Sequence, residues 1–139
     1  MAKLVLDIEY DYDFLLIGIS CHEKDYRLSW SLNNSLNLEL AKTDDLKLDS
    51  KKYKEPLSHS MFMFDNEDQY KQYYLISNKG PKGLLIPEQK HSDFFLLIKG
   101  TLLNDDKASI LKKIKDTPGV LTIFDIDPNK LKSKENLLF

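Results

Sequence analysis

The chain has 139 residues, a size typical of one compact domain that buries a core without disulfides or metal. Hydrophobic residues make up 42% and aromatic residues 11% of the sequence, which argues against disorder, and no apolar run approaches the roughly 20 residues of a membrane helix. The formal net charge is −2, so no overall basic field exists to attract nucleic acid.

The cysteine and histidine content argues against disulfide and metal chemistry. Cys21 is the single cysteine and cannot pair within the chain, and the first residues contain no signal-peptide core. The three histidines have no ligand-spaced partners. The basic run at residues 51–54 is typical of a solvated loop. These features predict a soluble cytoplasmic protein with one domain over residues 1–139, no cofactor, no metal, no membrane segment and no nucleic-acid partner.

The first third of the chain reads as strand, helix, strand. Residues 13–20 form a short, nearly continuous apolar run typical of a buried strand, and Gly18 weakens the competing helical interpretation. Asp25 can cap a helix over residues 26–36, and Asn37 can end it. The helix has an apolar stripe at every fourth residue: Leu28, Leu32 and Leu36. Alternation then predicts strand positions at Leu38, Leu40, Leu46 and Leu48.

The sequence pattern in the middle of the chain predicts β-hairpins. Residues 49–60 are charged, contain Pro56 and read as a loop. Strands are predicted at 61–64 and 73–77, with acidic residues between them. A firm turn at 80–83 precedes a short strand, and the apolar run at 94–98 is the strongest strand signal in the sequence.

The C-terminal third predicts another helix and strand. Asn104 and the two aspartates after it suit a helix start, and three lysines near position 115 suit its end. An apolar stripe supports this helix: Ile110, Leu111 and Ile114. Pro118-Gly119 ends it, residues 120–126 form a strand, and Asp127-Pro128 can open a final helical turn.

This order of elements predicts an α+β fold. Strand–helix–strand units at both ends of the chain are the units that join neighbouring parallel strands by a right-handed crossover. We therefore expect a single-domain two-layer sandwich, in which two main helices cover one face of a mixed β-sheet. The expected topology is ferredoxin-like or ACT-like with an extra hairpin. A likeness at the level of the fold does not transfer function.

Ile86-Pro87-Glu88 and, five residues after Glu88, Asp93 carry a family resemblance. Here the chain is similar to the IPExxxVDY family of small bacterial proteins, known mainly from Bacteroidota. Ser92 stands where that pattern has valine, and Phe94 where it has tyrosine, which removes a hydroxyl. Residues 16–20 and 25–28 also resemble the family. The resemblance implies a bacterial cytoplasmic protein and supplies no catalytic residue.

Arg27 is the only arginine among 20 basic residues. A guanidinium offers a planar fork to a carboxylate or phosphate, and an ammonium group does not. Its role is either structural, as a clamp to Asp25 or a stack on a neighbouring aromatic ring, or that of a ligand anchor. A sharper version of the clamp pairs Arg27 with Glu88 or Asp93.

Two groups of residues raise the question of catalysis. Glu88 and Asp93 would work as an acid–base pair only if they lay about 5–10 Å apart across a cleft. Such acids more often bond backbone N–H groups at a turn or pair with lysine. Cys21 and His22 follow the first strand, but neighbours in an extended chain point to opposite faces, so a nucleophilic cysteine is not favoured. The sequence therefore predicts no catalytic residue.

Adjacent aromatic residues in strands, such as Phe94 and Phe95, need cover on both faces of the sheet, and two helices cover only one. A homodimer or another protein would supply the second layer. The leading hypothesis is a non-catalytic binding or regulatory module that acts through protein–protein association. The alternatives are an ACT-like sensor of small anions and a small enzyme that uses acids near Glu88 and Asp93. Candidate ligand- or partner-binding residues are Arg27, Glu88, Asp93 and Phe94.

Overall fold

The computed structural model describes residues 14–48, 56–100 and 104–137. In these ranges the α-helices are α1 (Asp25–Leu36) and α2 (Asn104–Lys115). The strands of the described ranges are β1 (Leu15–Cys21), β2 (Ala41–Lys42), β3 (Leu46–Leu48), β4 (Leu57–His59), β5 (Met61–Asn66), β6 (Lys71–Ser77), β7 (Lys79–Gly80), β8 (Gly83–Leu84), β9 (Phe94–Lys99) and β10 (Val120–Ile126). The basic run at residues 51–54 lies outside these ranges.

The main sheet has six strands in the order β10-β1-β9-β6-β5-β2. Every neighbouring pair in it is antiparallel. Two small antiparallel hairpins, β3–β4 and β7–β8, accompany it. The α+β class is therefore confirmed, and so are α1, α2 and the main strands that the sequence patterns predict.

The expectation of parallel neighbours in a mixed sheet is wrong. The unit β9–α2–β10 leaves a gap of one strand, and β1 fills that gap by pairing antiparallel with both β9 and β10. The unit at the front of the chain is split further, because β1 and β2 are separated by three strands of the sheet. A helix can return the chain to the sheet without placing the next strand beside the previous one.

Both helices lie on one face of the sheet, as predicted. Leu28 and Leu32 of α1 and Ile114 of α2 join the alternating side chains of the strands in one core. These three side chains are 1%, 0% and 0% exposed. Burial of a leucine or isoleucine side chain contributes about 1.5–3 kcal/mol, so this interface stabilises the helices far more than their intrinsic propensity does.

The opposite face is covered by the chain itself. Phe95 and Leu97 of β9 pack there against Leu85 and Ile86, and against Leu131 and Leu137 from the C-terminal turns. These turns are 3₁₀ helices at Pro128–Lys130 and Lys134–Leu137. The aromatic residues of β9 thus have cover on both faces without a second molecule. Among the described residues, no helix has the length and apolar character needed to cross a membrane.

Candidate functional site

The turn between β8 and β9 is built around Asn78, which is 0% exposed. Its side-chain nitrogen donates to the carbonyl oxygens of Gln89 and Ser92 at 3.0 and 2.8 Å, and its side-chain oxygen accepts from the backbone N–H of Ile86 at 2.8 Å. Its own N–H donates to the carbonyl of Asp93 at 2.9 Å. One buried amide therefore fixes the path of the whole turn.

Glu88 binds the C-terminal segment. Its carboxylate accepts from the backbone N–H of Ser133 at 2.7 Å and from the Ser133 hydroxyl at 2.9 Å. Burial alone would raise the pKa of Glu88, but hydrogen bonds from its own N–H, from Ser133 and from the Lys132 N–H together hold it below its usual 4.5. A carboxylate that accepts several N–H bonds favours its charged form. Glu88 thus acts as a cap for the turn that follows Ser133.

Asp93 joins two other parts of the fold. One carboxylate oxygen accepts from the backbone N–H of Cys21 at 2.9 Å, and the other lies 2.6 Å from the Lys79 ammonium nitrogen. Phe94 directs its side chain into the core beneath the helices and is 6% exposed. The carboxylates of Glu88 and Asp93 therefore bind separate structural partners, Ser133 for one and Cys21 with Lys79 for the other.

Arg27 lies away from these acids. It shares a shallow groove of about 370 Å³ on α1 with Tyr26 and Trp30, which are one helical turn apart. Trp30 is 65% and Tyr26 is 62% exposed. We call these three residues the α1 ridge.

The clamp hypothesis for Arg27 is wrong. Both Glu88 oxygens and both Asp93 oxygens are bonded to other groups, and Asp25 accepts from the Ser60 hydroxyl at 2.6 Å and from the Tyr26 N–H at 2.7 Å. Within the described parts of the chain, no carboxylate pairs with Arg27. Arg27 is exposed and lines the same groove as Tyr26 and Trp30.

A polar cleft of about 360 Å³ lies between the start of α1 and the two small hairpins. Its lining includes Asp25, Asp45, Ser58, Ser60, Lys79 and Phe94, and we call it the Ser60 cleft. The Ser58 hydroxyl donates to Asp45 at 2.8 Å, as the Ser60 hydroxyl does to Asp25. Each hydroxyl is thus held by a carboxylate, and no histidine completes a nucleophilic arrangement with either serine among these lining residues.

Cys21 is buried, and its pKa is raised. Burial is the main cause, a hydrogen bond from the Glu23 N–H opposes it, and the negative charges of Glu23 and Asp93 add to it. The neighbouring His22 is exposed. A thiol of this kind is a poor nucleophile because the reactive form is the thiolate.

His59 and Asn78 are the important residues that the sequence patterns do not single out. His59 lies at the end of β4, within the stretch of residues 49–60 that reads as a loop, and it is 1% exposed. A polar residue directly after an apolar strand is the only sequence signal of Asn78, and many exposed turn residues share that signal.

Comparison of the chain with protein-family models, with curated proteins and with solved structures finds no match. In the part of the chain that the structure describes, no three His, Cys, Asp or Glu side chains gather in a group suited to a metal ion. The candidate sites therefore stand on geometry alone: the α1 ridge, the Ser60 cleft and the turn around Asn78.

Proposed function

We propose that the protein is a non-catalytic binding module that acts through protein–protein association, with the α1 ridge as its contact surface. The supporting observation is the exposure of Tyr26, Arg27 and Trp30, which line one groove on α1. Tryptophan, tyrosine and arginine are the residues most enriched among those that dominate interface energies. α1 buries Leu28 and Leu32 in the core, whereas Tyr26 and Trp30 are exposed and can contact a partner.

The partner that fits this surface is a protein segment that carries a carboxylate next to an apolar side chain. Arg27 is the one charged residue among the described residues that line the groove, and it places a positive charge beside two exposed aromatic side chains. The guanidinium can hold a carboxylate through two parallel hydrogen bonds, while the rings cover an apolar side chain. The segment belongs either to a second copy of this chain or to a different protein.

A second candidate function uses the same guanidinium. In an ACT-like sensor, a small carboxylate or phosphate would bind Arg27, and Arg27 is exposed and has no carboxylate partner among the described residues, which favours this function as well. An enzyme based on Glu88 and Asp93 receives no support, because the carboxylates of both residues are bonded to structural partners.

The sole tryptophan of the chain lies on the proposed surface, so its fluorescence reports occupancy directly. We expect the emission of Trp30 to shift to shorter wavelength when an acidic, leucine-containing peptide is added. A matched peptide with lysine in place of glutamate should cause no shift. The variant Arg27→Ala keeps the probe and should bind the acidic peptide at least about tenfold more weakly.

The same measurement separates the alternatives. A shift that grows with protein concentration, together with a dimer in sedimentation equilibrium, identifies a second copy as the partner. A shift with phosphate or citrate alone identifies the anion sensor instead. Emission that responds to none of these additions, and to no change in concentration, would refute the α1 ridge as a binding surface.

We also propose that the chain belongs to the IPExxxVDY family and acts in the bacterial cytoplasm. The two shared polar residues, Glu88 and Asp93, bond the turn that carries the motif to other parts of the fold. A structural role of this kind would explain why the motif contains both acids. The buried free thiol of Cys21 is consistent with a reducing compartment.

A further inference from the structure

His59 is held by one hydrogen bond and has one nitrogen with none. Its Nδ1 lies 3.0 Å from the carbonyl oxygen of Ser77. A carbonyl oxygen only accepts, so Nδ1 carries the hydrogen and Nε2 carries a lone pair. Nε2 is buried and has no hydrogen-bond partner among the described residues. The geometry therefore assigns a neutral ring with a defined tautomer.

Backbone atoms pack closely against the ring. A Cβ atom added at Gly80 would lie 2.5 Å from the Ser58 carbonyl oxygen and 3.0 Å from Cε1 of His59. Strands β4 and β7 thus touch through a glycine whose missing side chain permits the approach. The His59 ring is 1% exposed, so separation of β4 from β7 and from the end of β6 would bring it into contact with water.

We propose that His59 is an acid-sensitive latch, which holds β4 against β6 and β7 while its ring is neutral and releases β4 when Nε2 takes up a proton. Protonation would place an N–H group and a positive charge at a buried position that offers no acceptor. In the released state, water solvates the imidazolium, so that state binds the proton more readily.

The charged groups around the ring set the pH range. Burial lowers the pKa of His59 below 6.5, while the hydrogen bond to Ser77 and the charge of Asp45 act in the opposite direction without reversing the shift. Hydrogen bonds from Lys42 and Ser58 lower the pKa of Asp45, so Asp45 stays ionised throughout. Among the described residues, the adjoining segments also carry Lys47 on β3, Lys71 at the start of β6, Lys79 on β7 paired with Asp93, Lys82 between β7 and β8, and Asp25, which accepts from the Ser60 hydroxyl.

The direction of the pH effect follows from the linkage between proton binding and the stability of the latched state. A histidine whose pKa is depressed in the folded state supports that state fully above 6.5, and the support is lost as the pH falls from 6.5 toward the folded-state pKa. Over that interval the ratio of released to latched molecules rises by up to about tenfold per pH unit. Because Ser58, Ser60 and Lys79 line the Ser60 cleft, acid would also change the shape of that cleft.

Hydrogen exchange on the full chain tests the latch. After correction for intrinsic exchange rates, we expect protection of β3, β4 and β7 amides to fall by up to about tenfold per pH unit between pH 6.5 and 5, while β1 and β9 keep theirs. His59→Gln retains a donor for Ser77 but cannot be protonated, so its protection should not change with pH. His91→Gln, at an exposed histidine, should behave like the wild type.

NMR of the wild type gives a second readout in case His59→Gln does not fold. The nitrogen shifts of His59 should show a hydrogen on Nδ1 at pH 7.5 and a titration midpoint below 6.5. Three results would overturn the proposal: protection of β3, β4 and β7 that does not change down to pH 5, a pH dependence that persists in His59→Gln, or a titration midpoint of His59 at or above 6.5.

Discussion

Asn78 follows Ser77 in the chain, and the His59 ring is bonded to the carbonyl oxygen of Ser77. Both side chains are polar and buried, but they differ in how many of their polar atoms have hydrogen-bond partners. The Asn78 amide uses both donor hydrogens and its acceptor oxygen in bonds to the motif turn. His59 uses one nitrogen and leaves the other without a partner among the described residues. A buried polar group with every bond made specifies one conformation, whereas a group with a bond missing holds its conformation only under some conditions. Three substitutions test this contrast.

The largest effect is expected at Asn78. Asn78→Ala removes three hydrogen bonds and leaves the Gln89 and Ser92 carbonyls and the Ile86 N–H without that partner. We expect the free energy of unfolding to fall by about 3 kcal/mol or more, measured by urea denaturation. Asn34→Ala, at an exposed position of α1, should change it by less than about 0.5 kcal/mol. A loss below about 1 kcal/mol in Asn78→Ala would mean that the turn does not depend on this amide.

A smaller effect is expected where a satisfied polar group is partly exposed. Glu88→Gln weakens the cap on Ser133 and should lower the free energy of unfolding by about 1 kcal/mol at neutral pH, because solvent screens this carboxylate. The folded-state pKa of Glu88 lies below 4.5, so its contribution is complete above that pH and disappears as the pH falls through the folded-state value.

The difference between wild type and Glu88→Gln should therefore shrink in acid, as measured by urea denaturation at pH 7 and at pH 3. Glu135→Gln, at an exposed acid in the following turn, is the matched control and should show little difference at either pH. A Glu88→Gln difference that stays constant down to pH 3 would show that the charge of Glu88 does not contribute to the cap.

The smallest effect is expected at Ser92, with the opposite sign. Its hydroxyl is fully buried and has no partner among the described residues, and it faces Gly18 so closely that a Cβ there would overlap Oγ. Ser92→Ala removes an unsatisfied group and should raise the free energy of unfolding by about 0.5 kcal/mol, seen as a higher melting temperature. Ser77→Ala, which removes a hydroxyl bonded to the Lys79 carbonyl, should lower it instead. A clear loss of stability in Ser92→Ala would reveal a partner for this hydroxyl.

Local signals in the sequence are sufficient to predict most of the elements. Leucines at every fourth residue and the left-handed Asn37 define α1, and alternation together with turn residues defines the β5–β6 hairpin. The pairing of β9 and β10 with β1 between them could not be predicted in this way. It depends on a strand more than 70 residues earlier in the chain, and no local pattern records which strand fills the gap in a split unit.

The candidate sites were harder to predict for the same reason. Arg27 stands out in the sequence as the only arginine, and it is exposed, but no sequence pattern indicates that Tyr26 and Trp30 are exposed beside it. Phe94 proved to be a core residue, because alternation along β9 turns its side chain toward the helices. The Ser60 cleft joins five separate segments of the chain, and composition gives no indication that they meet.

The cover on the second face of the sheet has a consequence for synthesis on the ribosome. The ribosome makes residues 128–137 after all the strands against which Leu131 and Leu137 pack. Until those residues leave the exit tunnel, they cannot cover the apolar surface formed by Phe95 and Leu97. That interval is when a nascent chain of this fold most needs a chaperone, and slower translation of the last codons would lengthen it.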